Sequence, residues 1–298
     1  MKVTFKTKEL YVKEPTTINE LLKNEIKENK YVVVGAIFNN EYVNLNYEIK
    51  EDGEIKLLDT STKEGSKIYR RTLTYILGKA FEKVCKGKKI NVNYQLSNAM
   101  FCDIENTKIT DDLIETLTDE MRRIVRENLP IKQVIMNREE AKEFYQKNDT
   151  SKGRLQYDLE QNEKIYMYYC EDYYNYCYGT LASSTGLTKV FELIKYEDGF
   201  LMRYPSSDKP GQLPKIRQTK KLAWALEEYN DIHKILNMNR VYRLNAAVEN
   251  NTIKDVIMLD EALHEKKIAN IADKIARRKK IKMILIAGPS SSGKTTFA

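Results

Sequence analysis

Only two histidines, His233 and His264, occur among the 298 residues. A site built on several imidazoles, for proton transfer near neutral pH or for zinc, is therefore excluded from most of the chain. The four cysteines, Cys85, Cys102, Cys170 and Cys177, include no CxxC pair, so neither a disulfide framework nor a zinc ribbon is expected. Long apolar runs are also missing. The strongest near the C-terminus, residues 283–287, is far too short to cross a bilayer, and residues 1–8 lack a signal-peptide core. A cytoplasmic protein without membrane partners is the expectation. Charge of one sign is scarce as well: 50 basic residues against 43 acidic leave +7, and residues 264–282 alone hold eight Lys or Arg against two acids. The remainder is near neutral, so any nucleic-acid contact has to be local.

What is present reads as a mixed α+β chain. Residues 3–6 and 10–13 form a predicted hairpin, and Thr17 with Glu20 makes a capping box before a helix carrying Ile18, Leu21, Leu22 and Ile26. Residues 32–38 are a buried strand, Asn39 and Asn40 turn it into the next, and a strand from Ile55 closes a small sheet holding one helix, a β-grasp arrangement over residues 1–62. Residues 63–205 alternate helix and sheet: Tyr69, Leu73, Ile76, Ala80 and Val84 make one helical stripe, and Leu113, Leu117, Met121, Ile124 and Val125 another, which Pro130 stops. Strands are predicted at 90–94 and 99–104 and again within 165–203. Residues 206–280 comprise a Pro/Gly/Ser linker (206–214) and a helical connector, with helices near 220–236 and 260–276. Residues 282–287 are predicted as a buried strand leading into a glycine-rich loop.

That loop carries the clearest motif. Gly288, Pro289, Ser290, Ser291, Ser292, Gly293, Lys294 and Thr295 match GxxxxGK[S/T], in which backbone N–H groups converge on phosphate oxygens, the lysine neutralises charge and the Thr295 hydroxyl reaches magnesium. Gly288, Ser290, Ser291, Ser292, Gly293, Lys294, Thr295 and Thr296 are the candidate nucleotide-binding residues. The chain stops three residues after Thr295, so residues 281–298 are expected to be the opening of a longer kinase domain, inactive here, with ATP or GTP and Mg as cofactors of a longer parent only.

Gly288 to Ala298 resembles the opening of the uridine kinase and phosphoribulokinase family of nucleoside kinases, and residues 261–275 are similar to the segment that precedes such a loop where the kinase follows threonyl-tRNA synthetase-like domains. Residues 1–62 resemble a TGS domain, and residues 109–131 the second additional domain of threonyl- and alanyl-tRNA synthetases. That family's editing site is an HxxxH plus CxxxH arrangement that hydrolyses mischarged aminoacyl-tRNA. Against it, the resemblance places Arg71 and Tyr75 at the helical histidines and Cys177 and Leu181 at the other pair. One of four positions survives, which implies a degenerate pocket without zinc and without hydrolysis.

Other features are read alongside their plain alternatives. Seven tyrosines lie between Tyr166 and Tyr178; they are taken as strand formers filling two sheet faces, with a base-stacking platform as the alternative. Arg70 and Arg71 are taken as a solvated helix face, with an anion-attracting pocket as the alternative. The basic residues 277–282 suit a helix C-terminus, with weak RNA or tRNA contact as the alternative. His233 is read as packing and His264 as surface. The resulting expectation is the regulatory or ligand-binding part of a uridine kinase-like nucleoside kinase. The competing reading is a synthetase-derived RNA- or tRNA-binding module without catalysis.

Overall fold

The computed structural model describes residues 1–96, 99–148, 164–215 and 220–297. They are mixed α+β, and the chain divides into two compact units, Met1–Trp224 and Ala225–Ala298.

The first unit opens with β1 (Lys2–Phe5) and β2 (Lys8–Tyr11), an antiparallel pair. After the short β3 (Thr16–Thr17) come α1 (Ile18–Leu21) and α2 (Lys23–Glu28). The Thr17 side chain accepts from the Glu20 amide while the Glu20 carboxylate accepts from the Thr17 amide, so two otherwise unpaired donors at the helix start are satisfied reciprocally. β4 (Val33–Phe38) and β5 (Glu41–Val43) are joined by Asn39 and Asn40, at φ +47° and +68°. Asparagine tolerates this left-handed region, and two such residues give the turn whose twist matches a hairpin. β6 (Glu48–Ile49) pairs with β3, and β7 (Gly53–Asp59) enters between β1 and β4, parallel to the first and antiparallel to the second. The resulting five-stranded sheet, β2-β1-β7-β4-β5, buries Val3, Phe5, Ala36, Phe38 and Ile55 against Ile18 and Leu22.

α3 (Lys63–Val84) is the central element of the unit. Thr62 caps its start by accepting from the Gly65 amide. Ile68, Leu73, Ile76, Leu77 and Ala80 share one core with Val34 and Leu58 of the first sheet, with Met121 and Ile124 of α4 (Asp111–Glu127), and with Cys102 and Phe200. The latter two belong to a four-stranded antiparallel sheet, β13-β14-β9-β8, built from β8 (Ile90–Leu96), β9 (Ala99–Ile104), β13 (Glu192–Tyr196) and β14 (Gly199–Arg203). Another face of α3 meets the three-stranded sheet of β10 (Lys132–Met136), β11 (Ile165–Cys170) and β12 (Tyr173–Tyr176), while α5 (Arg138–Asn148) follows β10. α4 ends at Glu127, before Pro130. Asn128, at φ +50° and ψ +47°, is its left-handed cap, and its amide donates to the Val125 carbonyl.

The second unit is helical. α6 (Lys220–Ile235) leads into it, followed by α7 (Val241–Glu249) and α8 (Ile253–Ala276), with the single turn α9 (Lys294–Phe297) near the end. Two expectations are corrected here. Residues 282–287 form no strand, and Met283 and Leu285 are exposed; an apolar run becomes a buried strand only where a sheet edge receives its backbone groups, and none does. His233 is exposed on α6 rather than packed among Leu226, Tyr229, Ile232 and Leu236, because its neighbours Ile235 and Tyr229 also face solvent. α7 and the first two turns of α8 extend the helical content beyond the two helices expected in this region.

Candidate functional site

Arg71 and Tyr75 lie one turn apart on α3, while Cys177 and Leu181 follow β12 in the segment that returns beneath the helix. The fold brings all four together. Tyr75 and Leu181 belong to one buried cluster with Ile131, Tyr168, Cys170 and Tyr173, and Cys177 packs against it. The Arg71 guanidinium donates to the Thr180 carbonyl at 2.8 Å and is close enough to influence the Cys177 thiol.

The interior of this cluster is occupied by phenol rings. The Tyr75 hydroxyl lies 3.1 Å from both the Tyr168 and Tyr173 carbonyl oxygens, and its ring meets that of Tyr173 edge to face at 5.0 Å. Tyr168 in turn donates to the Gly179 carbonyl at 3.1 Å and accepts from the Gln133 amide at 2.8 Å. Gly179 has φ +96°, a backbone angle that favours glycine, and a Cβ there would sit 2.8 Å from the Arg71 guanidinium carbon, which would have to move aside. At Gly78 a Cβ would meet the Tyr173 hydroxyl at 2.3 Å. Below the cluster the buried Lys79 ammonium donates to the Cys170 carbonyl at 3.0 Å and pairs with Asp172 at 2.9 Å and Glu171 at 3.2 Å. Burial pulls its pKa down, but the hydrogen bonds it donates to the two carboxylates outweigh that and leave it raised.

These environments set the chemistry. Burial, with smaller contributions from Tyr173 and Cys170, holds the Tyr75 phenol far above the usual tyrosine range, so it remains neutral. Burial pushes the Cys177 thiol up to about 11, although Arg71 acts in the opposite direction. A nucleophile or zinc ligand needs the thiolate, and at neutral pH Cys177 is a thiol. Among the described residues no group of three or more His, Cys, Asp or Glu is placed to hold a metal ion. One consequence is measurable. Alkylation of Cys177, followed by mass spectrometry, is expected to be slow at pH 7 and to accelerate about tenfold per pH unit until about pH 11, since only the thiolate reacts. A rate that levels off near pH 8 would contradict the burial argument.

The tyrosines between 166 and 178 divide between packing and surface. Tyr168 and Tyr173 are buried, and Tyr169 and Tyr174 close edge to face around Phe144 of α5. Tyr178 is 60% exposed. The packing account therefore holds for most of them. Arg70 donates to the Gln95 side chain at 3.2 Å rather than joining Arg71.

In the glycine-rich loop Ser291 and Gly293 have φ +58° and +72°. The Lys294 ammonium folds back onto the loop, 2.6 Å from the Pro289 carbonyl and 3.0 Å from that of Gly288. Thr295 and Thr296 are exposed. The basic run is exposed too. Arg277, Arg278, Lys279, Lys280 and Lys282 follow α8 and have no acidic partner among the described residues, whereas Lys267 on the same helix pairs with Glu228 at 2.7 Å.

Over more than half of its length the chain is similar to threonine–tRNA ligases. That of Caldanaerobacter subterraneus subsp. tengcongensis is 29% identical over 180 residues, which is 60% of this chain and 28% of the relative. That of Desulforamulus reducens is 27% identical over 206 residues, 68% of this chain and 32% of the relative. That of Clostridium tetani is 33% identical over 163 residues, 54% of this chain and 26% of the relative. The chain thus spans about a quarter to a third of the length of the curated relatives it matches. No protein-family model matches it. These relatives lend nothing to the nucleoside-kinase reading of residues 281–298.

Proposed function

We propose that this chain is a synthetase-derived module that contacts tRNA or a tRNA-like RNA without hydrolysing an ester. The observation that carries the reading is the pairing of two facts. The chain is similar to threonine–tRNA ligases over 54–68% of its length, yet Arg71, Tyr75, Cys177 and Leu181 form a hydrogen-bonded and apolar cluster with no imidazole and no thiolate. The affinity for RNA would come from the five unpaired cations between Arg277 and Lys282, which suit phosphate contacts. A cytoplasmic location agrees with this. Among the described residues no helix is long and apolar enough to cross a membrane.

The test is fluorescence anisotropy with labelled tRNA at two salt concentrations, with ester hydrolysis of mischarged tRNA followed in parallel. With about five phosphates neutralised, affinity should fall by on the order of a hundredfold between about 50 and 200 mM salt, and no hydrolysis should occur. Absence of binding at the lower salt, or an affinity indifferent to salt, would remove the RNA reading. Measurable hydrolysis would remove the non-catalytic one.

A second reading, the regulatory part of a phosphoryl-transferring nucleoside kinase that uses ATP or GTP and Mg, rests on the match of Gly288–Thr295 to a phosphate-binding loop and on the positive φ of Ser291 and Gly293. Because Lys294 is engaged with loop carbonyls, this chain is expected to bind Mg-ATP too weakly for calorimetry. Micromolar binding that Lys294→Ala abolishes would favour the second reading.

A further inference from the structure

Between the five-stranded sheet's helix and the C-terminal half of α4 lies a cleft of about 850 Å³ within the first unit. Its size falls within the ~300–1,000 Å³ of small-molecule sites. Three cations, Arg122, Arg126 and Lys189, line it, and among the described residues no carboxylate does. Arg126 and Lys189 are exposed and have no acidic partner among the described residues, while Arg122 reaches Asp119 only at 3.7 Å on the solvent side.

The wall beneath these cations is built and held. The Asn128 side-chain oxygen accepts from the Ser184 hydroxyl at 2.7 Å and the Gly186 amide at 3.1 Å, and Thr185 donates its hydroxyl to the Ile124 carbonyl at 2.8 Å. With the Val125 carbonyl taken by the Asn128 amide, two of the α4 C-terminal carbonyls that would repel an anion are already engaged. Ser183 lines the cleft beside Ser184 and adds a hydroxyl to its polar wall. The floor is apolar, from Leu45, Val125, Leu187 and Phe191.

We infer that this cleft binds a small organic phosphate: a phosphate monoester whose charge meets Arg126 and Lys189, with the Ser183 hydroxyl as a further donor, and whose apolar or aromatic body lies on Leu45 and Phe191. Three cations around one cleft suit a dianion better than the single charge of a carboxylate, and the apolar floor distinguishes the site from a merely basic surface. Neither the cations nor the floor belongs to the cluster around Tyr75 or to the basic run after α8, so the inference stands or falls apart from the RNA reading.

The probe is phenyl phosphate, with inorganic phosphate and phenol as controls, titrated calorimetrically into the full chain. Phenyl phosphate should bind at least about tenfold more tightly than either control, since each control lacks one of the two recognition elements. Arg126→Gln with Lys189→Gln should weaken it by about tenfold or more. Both side chains are exposed, so the melting temperature of the unliganded variant should not change. Ser183→Ala should weaken phenyl phosphate and inorganic phosphate by the same factor. Equal binding of inorganic phosphate and phenyl phosphate, binding unaffected by the double variant, or no heat at about 10 mM, far above typical small-ligand affinities, would each overturn the proposal. So would competitive displacement of phenyl phosphate by tRNA, which would make the cleft part of an RNA surface.

Discussion

Replacing Tyr75 by alanine is expected to destabilise the first unit by about 3–5 kcal/mol, the range for deleting a buried aromatic ring. The ring is 3% exposed and sits between α3 and the β11–β12 pair. Its loss removes the edge-to-face contact with Tyr173 at 5.0 Å and the hydrogen bonding of the hydroxyl to the Tyr168 and Tyr173 carbonyls. Tyr75→Phe separates the two contributions. It retains the packing and deletes only the hydroxyl, so roughly 0.5–1.5 kcal/mol should be lost, the net worth of a hydrogen bond whose acceptors keep their partners in the sheet. Denaturant unfolding monitored by far-UV circular dichroism measures both. If Tyr75→Ala unfolds with less than about 1 kcal/mol of difference, the cluster is not a packed interior, and an open pocket on this face of α3 would have to be reconsidered.

The second large effect concerns charge. Changing Arg277, Arg278, Lys279 and Lys280 together to glutamine should lower the salt slope of tRNA binding by about 3 to 4, and affinity at about 50 mM salt by on the order of a hundredfold or more, because each phosphate contact releases close to one counterion. None of these side chains is buried, so the fold should be unaffected. The Arg126→Gln, Lys189→Gln variant is the internal control: it should leave the tRNA slope in place. If the four-fold variant binds tRNA as the unmodified chain does, the contact lies elsewhere, and Tyr178 with the outer face of β12 becomes the next surface to test.

Features governed by near neighbours were readable in the residues themselves. The capping box at Thr17 and Glu20 and the asparagine turn at 39–40 depend on contacts within four positions, and the helical stripes from Tyr69 and Leu113 follow a single period. Pro130 marks the point before which α4 has to end, and what sequence does not announce is that Asn128 makes the turn by adopting the left-handed conformation two residues sooner. The apolar run at 282–287 misled for another reason: hydrophobicity marks a candidate strand, but only a partner edge makes one. His233 was assigned by its spacing from Leu226, Tyr229 and Leu236, and spacing does not tell which face of an amphipathic helix is covered.

The two sites differ in the same way. The i, i+4 relation of Arg71 and Tyr75 is visible in sequence, but their meeting with Cys177 and Leu181 depends on β11 and β12 pairing antiparallel, with Met167 opposite Tyr176 and Cys170 opposite Tyr173. The phosphate cleft left no local trace at all. Asn19, Leu45, Arg126, Ser183 and Lys189 come from distant segments, and no motif within any one of them announces the others. Ser183 is one of several polar residues after Leu181, and its place beside Arg126 has meaning only once the fold is known.

Val34 and Leu58 belong to the same core as Ile68 and Leu73 of α3, and at Gly35 the approach is so close that a Cβ would lie 2.9 Å from the tip of Ile68. The five-stranded sheet and the long helix are thus two halves of one seam. A chain cut after Thr62 would leave Val34 and Leu58 facing water on one side and the Ile68–Leu73 stripe on the other, although the sheet keeps a separate interior around Ile18 and Leu22. The join at Thr62 is thus a boundary along the chain and not a boundary in the packing.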